Sequence, residues 1–202
     1  MTVFTRARGA GVIALTLVLT GCTAVTSGAP DPSAGSEHAG HGGMAPATSS
    51  TGVSAADAMF VTMMIPHHQQ AIEMADLVLG KDGLDARVAD LAREVKAAQQ
   101  PEIDRMRGWL ADGGASEQAG MAGMDHGAGM MSASDMGALR DATGAEAGRL
   151  FLEQMIVHHE GAVAMAEEAL AGALTPEVRA LAQQVIDDQT AEIAEMKGML
   201  AS

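Results

Sequence analysis

The sequence predicts an all-α protein, a four-helix bundle made from two copies of one helical hairpin. Three observations carry that expectation. Apolar residues recur in alternating steps of three and four along four long stretches, the pattern of helices that bury one stripe. The stretch FVTMMIPHHQQAIEMA, Phe60 to Ala75, returns as FLEQMIVHHEGAVAMA, Phe151 to Ala166. Beyond it, the pairs Val88/Val178, Leu91/Leu181, Val95/Val185, Ile103/Ile193, Met106/Met196 and Leu110/Leu200 continue the repeat, so the whole hairpin is duplicated. Neither hairpin has enough apolar surface to make a core alone, and two of them joined by a loop give a bundle by default.

Taken in order, the chain begins with Arg6 and Arg8 ahead of an apolar run, Ala10 to Leu19, too short to span a bilayer. Residues 1–21 therefore read as an export signal. The run ends in Leu19-Thr20-Gly21-Cys22, which resembles the lipobox of bacterial lipoproteins. Cleavage before Cys22 would expose it for lipidation and hold the mature protein on the extracytoplasmic face of the cell membrane. Cys22 is the one cysteine, so no disulfide forms within the chain. Residues 22–54 are rich in Gly, Ser, Thr, Ala and Pro and are expected to be a disordered linker, with His38, His41 and Met44 inside it.

The bundle is expected over 55–202, as repeat 1 (55–112), a Met/His-rich loop (113–133) and repeat 2 (134–202). Ser54 followed by Asp57 is a helix start, and Phe60, Met64, His67, Ala71, Met74 and Val78 then form a seam that closes at Leu79-Gly80. Pro66 lies inside this helix and predicts a kink. A second helix is expected from Asp85 to Ala111, with a bend at Pro101. The loop contains Met121, Met124, His126, Met130 and Met131, where thioethers have no packing duty in a glycine-rich setting. Ser134 to Ala142 reads as a short helix broken by Gly144. A third long helix, Glu146 to Leu170, repeats the seam with Phe151, Met155, His158, Ala162 and Met165. Thr175-Pro176-Glu177 starts the last one.

Composition narrows the function. With 12 Lys+Arg against 26 Asp+Glu, a net charge of −14 and 2% aromatic residues, the chain lacks the means to bind nucleic acid. It holds 16 methionines. The double histidines His67-His68 and His158-His159 fall near the middle of their helices, and Met64 and Met155 lie one turn before them. Adjacent histidines point about 100° apart, so one of each pair is expected to face the seam and the other a flanking cleft. Buried imidazoles need partners, because an unpaired buried polar group costs about 1–3 kcal/mol. Hydrogen-bonded core histidines, copied once by duplication, would meet that need through Gln99, Glu102, Gln189 and Glu192. A metal site would meet it too. The candidate ligands are His67, His68, His158, His159, Met64, Met155, Met74 and Met165, with the loop residues as weaker collectors.

Thioether and imidazole without thiolate suit copper, Cu(I) above all. Structural zinc wants thiolates or more histidines, and a di-iron centre wants Glu-x-x-His, where this chain has Met64 and Met155. No nucleophile triad or phosphate loop is present. The segments MIPHHQQAIEMA and MIVHHEGAVAMA resemble the paired M-I-x-H-H-x-x-A-x-x-M-A motif of the domain of unknown function 305 family, over about Asp57 to Leu200. The resemblance implies a ferritin-like four-helix bundle and, for some members, copper binding and tolerance in the envelope. The family often has an acid before the first seam Phe, matched by Asp57, whereas the second copy has Gly148. The expected function is copper sequestration or handover, without catalysis. A metal-free helical module that binds a protein partner is the alternative, and a metal-dependent oxidase the weaker one.

Overall fold

The computed structural model describes residues 53–115 and 129–202. Those residues form five helices and no strand: α1 (Ala55–Leu79), α2 (Ala86–Asp112), α3 (Ala133–Asp141), α4 (Gly144–Leu170) and α5 (Pro176–Leu200). The four long helices are the expected hairpins, α1 with α2 and α4 with α5, and α1 packs on α4 to join them. The export signal, Cys22, the linker with His38, His41 and Met44, and the loop residues Met121, Met124 and His126 lie outside the described residues. None of the described helices is long and apolar enough to cross a membrane.

The capping chemistry sets most of the boundaries. Ser54 accepts from the Asp57 N–H at 3.0 Å while Asp57 accepts from the Ser54 N–H at 2.8 Å, a reciprocal capping box that starts α1. The helix then runs through Pro66 without a break. A second capping box, Ser132 with Asp135, starts α3 slightly earlier than the sequence suggests. Gly144, expected as a breaker, is instead the first residue of α4, at φ +53°, a left-handed backbone that glycine adopts without penalty. Thr175 makes no side-chain cap for α5. Its backbone N–H donates to Asp57 at 2.9 Å, so one buried carboxylate ties the start of α1 to the start of α5. Burial pushes the Asp57 carboxyl up, but the hydrogen bonds from Ser54 and Thr175 together carry it below the usual aspartate value. The counterpart position, Gly148, packs against Leu84 and Val88 and has no capping role.

Helices α1 and α4 run antiparallel. The rings of His67 and His158 meet at the middle, the start of α1 (Ala56, Phe60) lies beside the end of α4 (Met165, Ala169), and Gly83 after α1 approaches Gly144. The apolar side chains accordingly sort into two clusters. One joins Ala71, Met74 and Val78 of α1 to Phe151 and Met155 of α4, with Val88, Leu91 and Met196. The other joins Phe60, Met64 and Ile65 to Ala162, Met165 and Ala166, with Ile103, Met106, Val178 and Leu181. Each repeat thus gives one half to each cluster, as a pseudo-twofold axis between His67 and His158 requires. The buried histidines occupy the level between the two clusters.

Candidate metal centre

All four histidines are buried, between 0% and 1% exposed. The expectation that one of each pair would face a cleft does not hold, because the hairpin partner helix closes over it. His68 Nε2 lies 2.8 Å from Glu102 of α2, and His159 Nε2 lies 2.6 Å from Glu192 of α5. Their Nδ1 atoms have no hydrogen-bond partner. A carboxylate on one ring nitrogen fixes the orientation of the imidazole and raises its basicity at the other, the arrangement that metal-binding histidines use. Of the four polar residues expected to support the pairs, Glu102 and Glu192 do so. Gln99, also buried, makes no hydrogen bond through its amide.

The inner pair is different. The His67 and His158 rings stand 3.7 Å apart between centroids, tilted by 40°. Neither ring nitrogen of His158 has a hydrogen-bond partner. Burial, and then the neighbouring His67, His159 and His68, hold the His158 pKa well below the usual histidine value. It is therefore a neutral imidazole with a free lone pair at neutral pH. Set beside a second imidazole in a dry core, His158 presents a nitrogen lone pair rather than charge.

The surroundings differ between the two halves. Gln184 of α5 donates to the second oxygen of Glu102 at 2.9 Å. Its repeat counterpart is Glu94, which has no N–H to give, and the Glu192 side chain is 19% exposed against 7% for Glu102. The His159–Glu192 side is the wetter one. Met64, Met155, Met74 and Met165 are buried in the apolar clusters above and below the histidines, two in each. Among the described residues no three His, Cys, Asp or Glu side chains converge as a cage for a metal ion. What the layer offers is a few nitrogens with thioethers nearby.

Met130 and Met131, read as loop, lie half-buried against the bundle. Gln70 holds the Met131 backbone from both sides, accepting its N–H at 2.7 Å and donating to its carbonyl at 2.9 Å. Gly129, at φ +88°, lies so close to α4 that a Cβ would stand 2.7 Å from the Val157 carbonyl oxygen. The end of the Met-rich stretch is thereby strapped across α1 and α4, within a turn of both double histidines. Sequence reasoning missed Gln70 and Gln184. The first had a signal, since the repeat places Gly161 opposite Gln70, two residues after the repeated pair of histidines; the second had none.

The fold and site define a class, a duplicated helical-hairpin bundle with a buried layer of double histidines at its centre. A family model described as domain of unknown function (DUF305) matches residues 57–200, and the chain belongs to that family. A DUF305 protein from Streptomyces coelicolor has a similar structure, with 30% identity, a TM-score of 0.66, and coverage of 72% of this chain and 92% of that one. A DUF305 fragment from Deinococcus radiodurans is 31% identical at a TM-score of 0.64, covering 74% of this chain and 98% of its own. CopM in its Cu(II)-bound form is 34% identical, with a TM-score of 0.62 and coverage of 72% and 95%. CopM has also been solved with Cu(I) and with Ag bound. No curated protein matches the chain.

Proposed function

We propose that the protein binds monovalent copper as cargo at the histidine layer and sequesters it or hands it on outside the cytoplasmic membrane, where lipidation of Cys22 anchors it. The observation that carries this reading is His158, a fully buried neutral imidazole with two unpaired ring nitrogens, set 3.7 Å from the ring of His67. Left unliganded, such a group costs the fold about 1–3 kcal/mol. Coordination removes that cost. A centre with few nitrogens, neighbouring thioethers and no thiolate or carboxylate cage favours a soft ion content with two or three ligands, which is Cu(I) rather than Zn(II). That CopM, a similar protein, has Cu(I)- and Ag-bound forms supports the same choice. The role is binding, not catalysis.

Titration with Cu(I) against a competing chelator tests the site. The protein is expected to take up Cu(I) tightly, and His67→Ala with His158→Ala to abolish that uptake. Tight uptake that survives the double substitution removes the histidine layer from the mechanism. Metal analysis of protein recovered from the membrane fraction of its native envelope checks cargo and location together; copper-free protein in the soluble fraction would contradict both.

A further inference from the structure

The pseudo-twofold axis gives the α1–α4 groove two equivalent halves, and among the described residues a helix covers one of them. Helix α3 lies along the half between Gln70 and the end of α1, where Met136 and Leu139 join the apolar cluster. Gln154 donates to the Asp135 carbonyl at 3.0 Å, and Lys81 donates to the Arg140 carbonyl. Among the described residues the other half has no counterpart of α3. At the other end of the groove stands an open cavity of about 320 Å³ lined by Met59, Phe60, Met63, Met165 and Glu168 among others.

Equivalent positions of the two halves carry different side chains. Under α3, the residues are Leu150, Gln154, Met74 and Leu77. Leu150 and Leu77 pack on the apolar cluster, and Gln154 holds α3. In the open half the same four positions are Met59, Met63, Met165 and Glu168. A methionine stands in each half at the Met74/Met165 position. The other three differ, and each difference replaces a side chain with no metal-binding character by a thioether or a carboxylate. Met59 and Met63 are one helical turn apart on α1, and both side chains line the groove. Met59 is 56% exposed. A residue that exposed does not serve as core filler, the usual duty of methionine.

We infer that this groove is a second metal site, a surface station for a soft monovalent ion (Cu(I) or Ag(I)) held by the thioethers of Met59, Met63 and Met165 with Glu168 at the rim. Thioether donors select soft d¹⁰ ions. The single carboxylate balances one positive charge, which makes the loaded site neutral, and the net charge of −14 raises the local concentration of any cation. The assignment rests on the copper reading only for the class of ion. Its ligands are distinct from the histidines, although Met165 is also a buried member of the apolar cluster beside them and Met63 packs against that cluster.

The test uses the full-length chain with ¹³C-methyl-labelled methionine, titrated with Ag(I), which is soft, monovalent and redox-silent. The methyl signals of Met59, Met63 and Met165 are expected to shift together. Met59→Leu with Met63→Leu, which keeps the apolar volume, is expected to weaken that response at Met165 at least tenfold. The groove response is expected to persist in the His67→Ala, His158→Ala variant, whatever becomes of the central site. Groove methyls that stay still while others move would overturn the inference and leave the histidine reading intact. Groove methyls that move in the parent and not in the histidine variant would overturn it too, since they would then report only the central site. A third arm adds a peptide with the sequence of residues 132–141. Shifts with the peptide and none with Ag(I) would reassign the groove as a docking surface for a short helix.

Discussion

At the scale of single residues, His158 separates function from stability. Replacing it with leucine keeps the volume and removes two unpaired polar atoms. His158→Leu is therefore expected to make the metal-free protein about 1 kcal/mol more stable in urea unfolding while removing Cu(I) uptake. A hydrogen-bonded structural histidine would show the opposite sign. The same residue sets a pH dependence. Its pKa in the fold lies well below the 6.5 of an unfolded histidine, so the unfolded chain binds the proton first as the pH falls. Its contribution is complete above that value and is lost on acidification below it. The urea midpoint is expected to decline between about pH 7 and pH 5, and His158→Leu to flatten the decline. The sequence showed that the histidines were paired, repeated and central. It did not show that the inner two would meet, because helical periodicity gives the face a side chain occupies and not which side chain it touches across the bundle.

At the scale of elements, the four long helices were legible because their seams, caps and breakers agree. Ser54 with Asp57, Gly80, Asp85 and Pro176 all sit at or beside the ends they were expected to mark. The stretch between the repeats was harder. Composition suggested loop through residue 133, yet residues 129–132 pack on the bundle and lead into α3, because Gln70 supplies hydrogen bonds that a local reading of a glycine-rich segment cannot foresee. That strap yields a further prediction. Gly129→Ala forces a Cβ against the Val157 carbonyl at a positive φ, and is expected to cost about 1–3 kcal/mol and to speed hydrogen exchange at the Met131 amide. Gln70→Ala removes the same anchor without strain. It should speed that exchange with a smaller loss of stability, and unchanged exchange in both variants would mean the strap is not held as described.

At the scale of the whole molecule, the hairpins are joined by the α1–α4 contact and by the Asp57 carboxylate that holds the Thr175 N–H. Asp57 gives stability that is present above the unfolded aspartate value of 3.8 and is lost as the pH falls through its lower folded value. Asp57→Asn is expected to destabilise the fold by about 1–2 kcal/mol at neutral pH and to flatten the acid limb of the unfolding curve, as measured by circular dichroism. An unchanged limb would assign the acid sensitivity elsewhere. The motif spacing made this scale legible as a bundle of two repeats. The inequality of the two groove halves was hidden, since it depends on where the short helix α3 packs, which local sequence does not give.

The sorting of the core into two clusters carries one more consequence. Each cluster takes half its side chains from each repeat, so a single hairpin possesses two incomplete cores and no complete one. The natural way for such a hairpin to bury both is to pair with an identical copy, which would give a symmetric homodimer with one histidine pair from each chain and two equal, uncovered grooves. The present chain has the geometry of that dimer fused into one polypeptide. In one polypeptide the two halves need not be equal, and among the described residues one groove carries a covering helix while the other is lined by methionines.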